Sequence, residues 1–86
     1  MNIIVAEKLI FENGKCVGTD YIFINAESFI SAEILPRLTK EYGSDVYEVS
    51  LRRGSFLASA RSVKNILEGL GDYYAFSSAE KGREKK

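Results

Sequence analysis

Ile3-Ile4-Val5-Ala6-Glu7-Lys8-Leu9-Ile10-Phe11-Glu12-Asn13-Gly14-Lys15-Cys16-Val17-Gly18-Thr19-Asp20-Tyr21-Ile22-Phe23-Ile24 decides the fold. Two apolar, β-rich runs flank Asn13-Gly14. That dipeptide is a strong hairpin signal, because a type I′ turn needs positive φ at both central residues. A two-residue loop pairs Glu12 with Lys15 and Phe11 with Cys16. Continued without interruption, the same register sets Glu7 opposite Asp20, and like charges opposite one another are unfavourable. A glycine within a strand often marks a bulge, and one extra residue near Gly18 resolves the conflict. Asp20 then meets Lys8, and Tyr21 meets Glu7. Ile4, Ala6, Ile10, Val17, Ile22 and Ile24 share one face of this hairpin. Ile3, Val5, Leu9, Phe11, Tyr21 and Phe23 share the other. Apolar residues on both faces imply a central place in a sheet, or a face covered by a partner copy. A homodimer is therefore one expected state.

A hairpin alone is marginal in water, so the rest of the chain must cover it. Residues 25–43 read as a helix, with Asn25 or Ser28 as cap and Gly43 as its stop. Ile34, Leu35, Leu38 and Tyr42 recur at helical spacing, extended by Phe29 and Ala32. Pro36 conflicts with an unbroken helix. Either the helix kinks there, or 28–35 is a separate turn and regular helix begins near Leu35. Residues 45–52 alternate as a half-buried strand. Gly54-Ser55 then opens a second helix, with Ser55 as cap and Phe56, Ala60, Val63, Leu67 and Leu70 as its apolar stripe. Tyr73-Tyr74-Ala75-Phe76 reads as a short strand.

The expected fold is α+β, in the order ββαβα(β). It is a two-layer sandwich: the N-terminal β-hairpin lies in a mixed sheet with two helices on one face. Residues 1–77 form one domain, and 78–86 a disordered polar and basic tail.

The 86 residues are 45% hydrophobic and 28% charged, ordinary proportions for a globular domain. No apolar run is long enough to span a bilayer, and no secretory signal is expected, so no membrane contact is read. A single cysteine, Cys16, permits no internal disulfide and fits a reducing, cytoplasmic setting. Net charge is zero but uneven. Residues 1–51 carry four Lys/Arg against eight Asp/Glu, and residues 52–86 carry eight against four.

No histidine is present. The chain thus lacks the commonest general base and metal ligand, and no metal or cofactor is expected. Cys16 has no base beside it in the sequence, and burial in a strand explains it. Gly69-Leu70-Gly71 lacks the following helix that a phosphate-binding loop needs. Glu7 and Asp20 are acid–base candidates only in the register without a bulge. No catalytic site is therefore read, and the protein is expected not to be an enzyme. Arg52-Arg53-Gly54-Ser55-Phe56 also fits a basophilic kinase substrate, although a helix-capping serine accounts for it.

Arg52, Arg53, Arg61 and Lys64 gather around the expected helix start at Ser55, where an anion is favoured. With Tyr73 and Tyr74 they are the candidate partner-binding residues, since Tyr and Arg are enriched at interfaces. The competing reading is a solvated or internally paired cluster. The functional expectation is a protein-binding module that occludes a site on a larger macromolecule. Small inhibitors of host defence encoded by phages and mobile elements, anti-CRISPR proteins among them, share this make-up as a class. The alternative is a nucleic-acid-binding module that uses the basic second half, against which stands a pI of about 6.3.

Overall fold

A computed structural model describes the backbone of residues 3–84 and the side chains of residues 3–73. Five strands form one antiparallel sheet: β1 (Ile3–Glu12), β2 (Lys15–Asn25), β3 (Phe29–Ile34), β4 (Val46–Leu51) and β5 (Ser55–Ser59). Their order across the sheet is β2-β1-β5-β4-β3. Two α-helices accompany them, α1 (Pro36–Tyr42) and α2 (Ala60–Glu84), with a 3-10 turn at Ala26–Ser28. The class is α+β, as the sequence implies. All strand pairs are antiparallel, so the sheet is not mixed.

The hairpin forms as read. Asn13 and Gly14 both have positive φ, 53° and 79°, the pair of values that a type I′ turn demands. Ile10 pairs with Gly18 and Phe11 with Cys16, which leaves Val17 as the bulged residue. Lys8 meets Asp20 and Glu7 meets Tyr21, so the carboxylates are kept apart.

Three segments differ from the sequence reading. Residues 29–34 are a strand, not a helix. Ala32 and Ile34 pair with Val49 and Tyr47, while Ser31 and Glu33 alternate with them; this pairing, helped by the β-branched isoleucines, overrides the helical preference of Ala and Glu. The regular helix starts at Pro36, where the missing N–H costs nothing. Leu35 before it is extended, as a residue preceding proline prefers. Gly43, at φ 86°, is the expected stop and donates its N–H to the Thr39 carbonyl.

The second correction is at Ser55, which opens strand β5 and caps no helix. Gly54 takes φ 95° and lets Arg52-Arg53-Gly54 form a tight turn, closed by the Leu51 N–H on the Gly54 carbonyl. Phe56 and Ala58 face inward by strand alternation. The spacing of four between Phe56 and Ala60 mimics a helix across the junction. The cap of α2 is Ser59, whose Oγ accepts from the Ser62 N–H at 3.2 Å. The third correction is that Tyr73 to Phe76 continue α2 and form no strand. The domain limit expected at 77 and the tail expected over 78–86 lie outside the described side chains.

The chain passes from β2 to β3, the two opposite edges of the sheet, through the 3-10 turn alone. Asn25 and Phe29 can be separated by at most about 14 Å of extended chain. Four strand spacings in a flat sheet need about 19 Å. The sheet must therefore curl, and α2 fills the hollow. Ala6, Ile24, Ala26, Val49, Phe56, Ala58, Val63, Ile66 and Leu70 form that core. The inward stripe of α2 is Val63, Ile66 and Leu70, with Leu67 outside it.

α1 meets a different side of the hairpin, so the two helices do not share one face. Its Tyr42 ring contacts Phe11 edge-on, with centroids 6.0 Å apart. Phe11 and the buried Leu9 alternate with Ala6 and lie on the far side from α2.

Ile66 is 1% exposed and Leu67 is 51% exposed. Ile66→Ala should cost about 2–5 kcal/mol by opening a core cavity. Leu67→Ala should cost about 1 kcal/mol or less. Urea unfolding of the two variants checks the phase of the helix, and equal losses would reject it.

Candidate functional site

β1 pairs with β5 at Leu9 and Leu57 only. Towards its N-terminus the inner edge of β1 has no strand beside it. Ser62 of α2 takes that place. Its Oγ accepts from the Glu7 N–H at 3.2 Å and donates to the Glu7 carbonyl at 2.7 Å. One buried hydroxyl thus serves both backbone groups that a neighbouring strand would serve. Farther along, Ile4 packs on α2 so closely that a Cβ at Gly69 would lie 3.2 Å from it. Tyr73 Oη donates to Glu27 Oε1 at 3.0 Å and fastens α2 to the 3-10 turn.

This docking turns Ile4, Ala6, Ile22 and Ile24 towards α2. The alternate residues Ile3, Val5, Tyr21 and Phe23 are turned outward, and among the described residues no element covers them. Phe23 is 71% and Tyr21 68% exposed, and Val5 and Ile3 are about half exposed. Val5 lies directly across from Phe23, so these side chains form one apolar patch rather than scattered positions. A cleft of about 290 Å³ borders the patch, and Val5, Tyr21, Glu7, Arg61, Ser62 and Asn65 are among its lining residues. Arg61 therefore stands at the rim of the patch.

The other predicted contacts are dispersed. Arg52 and Arg53 lie in the β4–β5 turn, separated from the start of α2 by the whole of β5. The Arg52 N–H donates to the Ser28 carbonyl at 2.8 Å. Lys64 projects from another flank of α2 and lines a groove with Phe29, Tyr47 and Leu67. The convergence expected at Ser55 therefore does not form, because no helix begins there. Tyr73 is half-buried and hydrogen-bonded to Glu27. Tyr74 lies outside the described side chains.

Sequence reading missed Ile3, Val5, Tyr21 and Phe23 as site residues, although it grouped them on one face. Apolar character on both faces of the hairpin was the available signal. Cys16 is half-buried, and its Sγ lies 3.4 Å from the Gly18 carbonyl. Among the described residues no group of His, Cys, Asp or Glu is placed to hold a metal ion. Among them, too, no helix is long and apolar enough to cross a membrane. Comparison with protein-family models, curated proteins and solved structures gave no significant match.

Tyr21→Thr and Phe23→Thr keep β preference while removing aromatic area. Each should change stability by no more than about 1 kcal/mol, the range of an exposed cross-strand pair. A loss near that of a buried aromatic, about 3–5 kcal/mol, in urea unfolding would show that the face is covered.

Proposed function

We propose that this domain is a non-enzymatic protein-binding module that occludes a site on a larger macromolecule through the outward face of its N-terminal hairpin. The observation that supports it is the patch of Ile3, Val5, Tyr21 and Phe23. Apolar patches of this kind are costly to leave in water and mark interaction sites. Two aromatic side chains beside an arginine also match the composition of interface hot spots. A partner surface with apolar area and one carboxylate opposite Arg61 fits this face, and a bidentate arginine–carboxylate pair would set its orientation. Arg52, Arg53 and Lys64 are further cations on other parts of the surface. Occlusion needs no catalytic group. The class association with phage- or mobile-element-encoded inhibitors of host defence, acting in the cytoplasm, belongs to the same proposal.

The nucleic-acid reading has weaker support. It needs a continuous basic stripe, and the four cations are divided between a turn and two flanks of a helix.

Immobilised wild-type protein and the Phe23→Asp and Arg61→Glu variants are compared in capture from the native host. A protein retained by the wild type should be lost with Phe23→Asp and weakened with Arg61→Glu, while both variants stay folded and lose no more than about 1 kcal/mol of stability. Equal retention by all three would reject the hairpin face. Micromolar or tighter binding of duplex or single-stranded oligonucleotides at ~150 mM salt, with a steep log-linear salt dependence, would reject the protein-binding reading.

A further inference from the structure

The two edges of the sheet are not alike. Glu7 turns both its backbone groups away from β2, towards Ser62. The Glu7–Tyr21 pair is therefore of the non-hydrogen-bonded kind, and the Tyr21 N–H points out of the β2 edge. Asp20 Oδ1 occupies that N–H at 2.8 Å. A side chain that satisfies its own edge blunts it against strand addition.

Among the described residues no side chain stops the β3 edge in this way. The Leu35 N–H donates to the Val46 carbonyl at 2.8 Å. The flanking pair Ile34–Tyr47 is then non-hydrogen-bonded, and so is Ala32–Val49 two residues back. The N–H and C=O groups of Ala32 and Ile34 consequently point away from β4 into the open. Beside them runs a groove of about 730 Å³, lined by Phe29, Ala32, Tyr47, Val63, Lys64 and Leu67 among others. Leu67, outside the core stripe, lies in this groove. The residue between the two open positions, Glu33, faces the other side of the sheet directly across from Glu48. Like charges so placed repel. Ser55 Oγ lies 3.4 Å from Glu48 Oε2, and among the described residues no cation pairs with either carboxylate.

We propose that the β3 edge binds an extended peptide segment by strand addition, with the pattern apolar–Lys/Arg–apolar. The two apolar residues lie opposite Ala32 and Ile34, exchange backbone hydrogen bonds with them and drop their side chains into the groove. The basic residue lies opposite Glu33 and relieves its repulsion with Glu48. The row of free backbone groups selects an extended chain, and the paired glutamates select its charge. A second copy of this domain is a poor occupant, because the two-fold register that pairs Ala32 of each copy with Ile34 of the other, and so uses all the open positions, sets Glu33 against Glu33. This surface is separate from the hairpin face, and the inference does not rest on it.

The test uses fluorescent peptides with the core Ser-Val-Lys-Val-Ser, titrated into the full chain by anisotropy. The lysine peptide should bind at least tenfold more tightly than its Val-Glu-Val counterpart. Glu33→Lys, an exposed position, should reverse that preference while the fold is kept, with a melting temperature equal to or slightly above that of the wild type because the repulsion with Glu48 is removed. N-methylation of both valines should abolish binding. Absence of binding at millimolar peptide, equal affinity for the two peptides, or tolerance of N-methylation would each overturn the proposal. Concentration-dependent dimerisation that is lost in Glu33→Lys would overturn it in favour of a second copy.

Discussion

The constraint on which this structure depends is the shortness of the chain between its two edge strands. β2 and β3 lie at opposite sides of the sheet, yet only Ala26–Ser28 join them. A flat sheet would outreach that link, so the sheet curls. The link itself is anchored: Asn25 caps it through the Glu27 N–H at 3.0 Å, and Ala26 is fully buried. Curling creates a hollow, and α2 is the element that fills it. The curl also separates β1 from β5 after a single pairing, which would strand the backbone of Glu7. Ser62 makes good that loss. Each of these part-buried hydrogen bonds contributes about 1 kcal/mol, so one hydroxyl at this position fastens α2 to β1 twice.

The surface follows from the same geometry. Because α2 takes the inner face of the hairpin, alternation sends Ile3, Val5, Tyr21 and Phe23 outward. Because α1 is only seven residues long and lies by the Phe11 end, it does not reach them. At the other side of the sheet β3 ends at Ile34, before Leu35 and Pro36, and the outer backbone groups of Ala32 and Ile34 stay open. On the β2 edge Asp20 occupies the Tyr21 N–H, and among the described residues no side chain does the same on β3. The hairpin patch and the β3 groove are thus by-products of where the core could be covered.

How much of this was legible in the sequence depended on whether a local rule had a competitor. Asn13-Gly14 has few alternatives, so the hairpin was readable. The clash of Glu7 with Asp20 made the bulge readable to within a residue. Residues 29–34 and 55–59 were misread for a common reason: each carries residues that satisfy helical spacing, and only pairing with β4 makes them strands. β5 is the central strand of the sheet, so its loss hid the strand order and moved the supposed start of the helix. The helix start expected at Ser55, around which the basic residues were grouped, lies instead at Ala60. Ile66 and Leu67 show the limit of periodicity, since both fit a stripe with Val63 and Leu70. The burial of one and the exposure of the other are set by the hollow they face.

The fold requires α2, not a strand, to complete the inner edge of β1 at Glu7. Native-state amide exchange at Glu7 tests this most directly, because that N–H is either held by Ser62 or open to water. Exchange of the Glu7 amide should be slowed to within about tenfold of the Leu9 amide, and Ser62→Ala should release it selectively. A Glu7 amide that exchanges as fast as one in an unstructured chain, or that is indifferent to Ser62→Ala, would contradict the account.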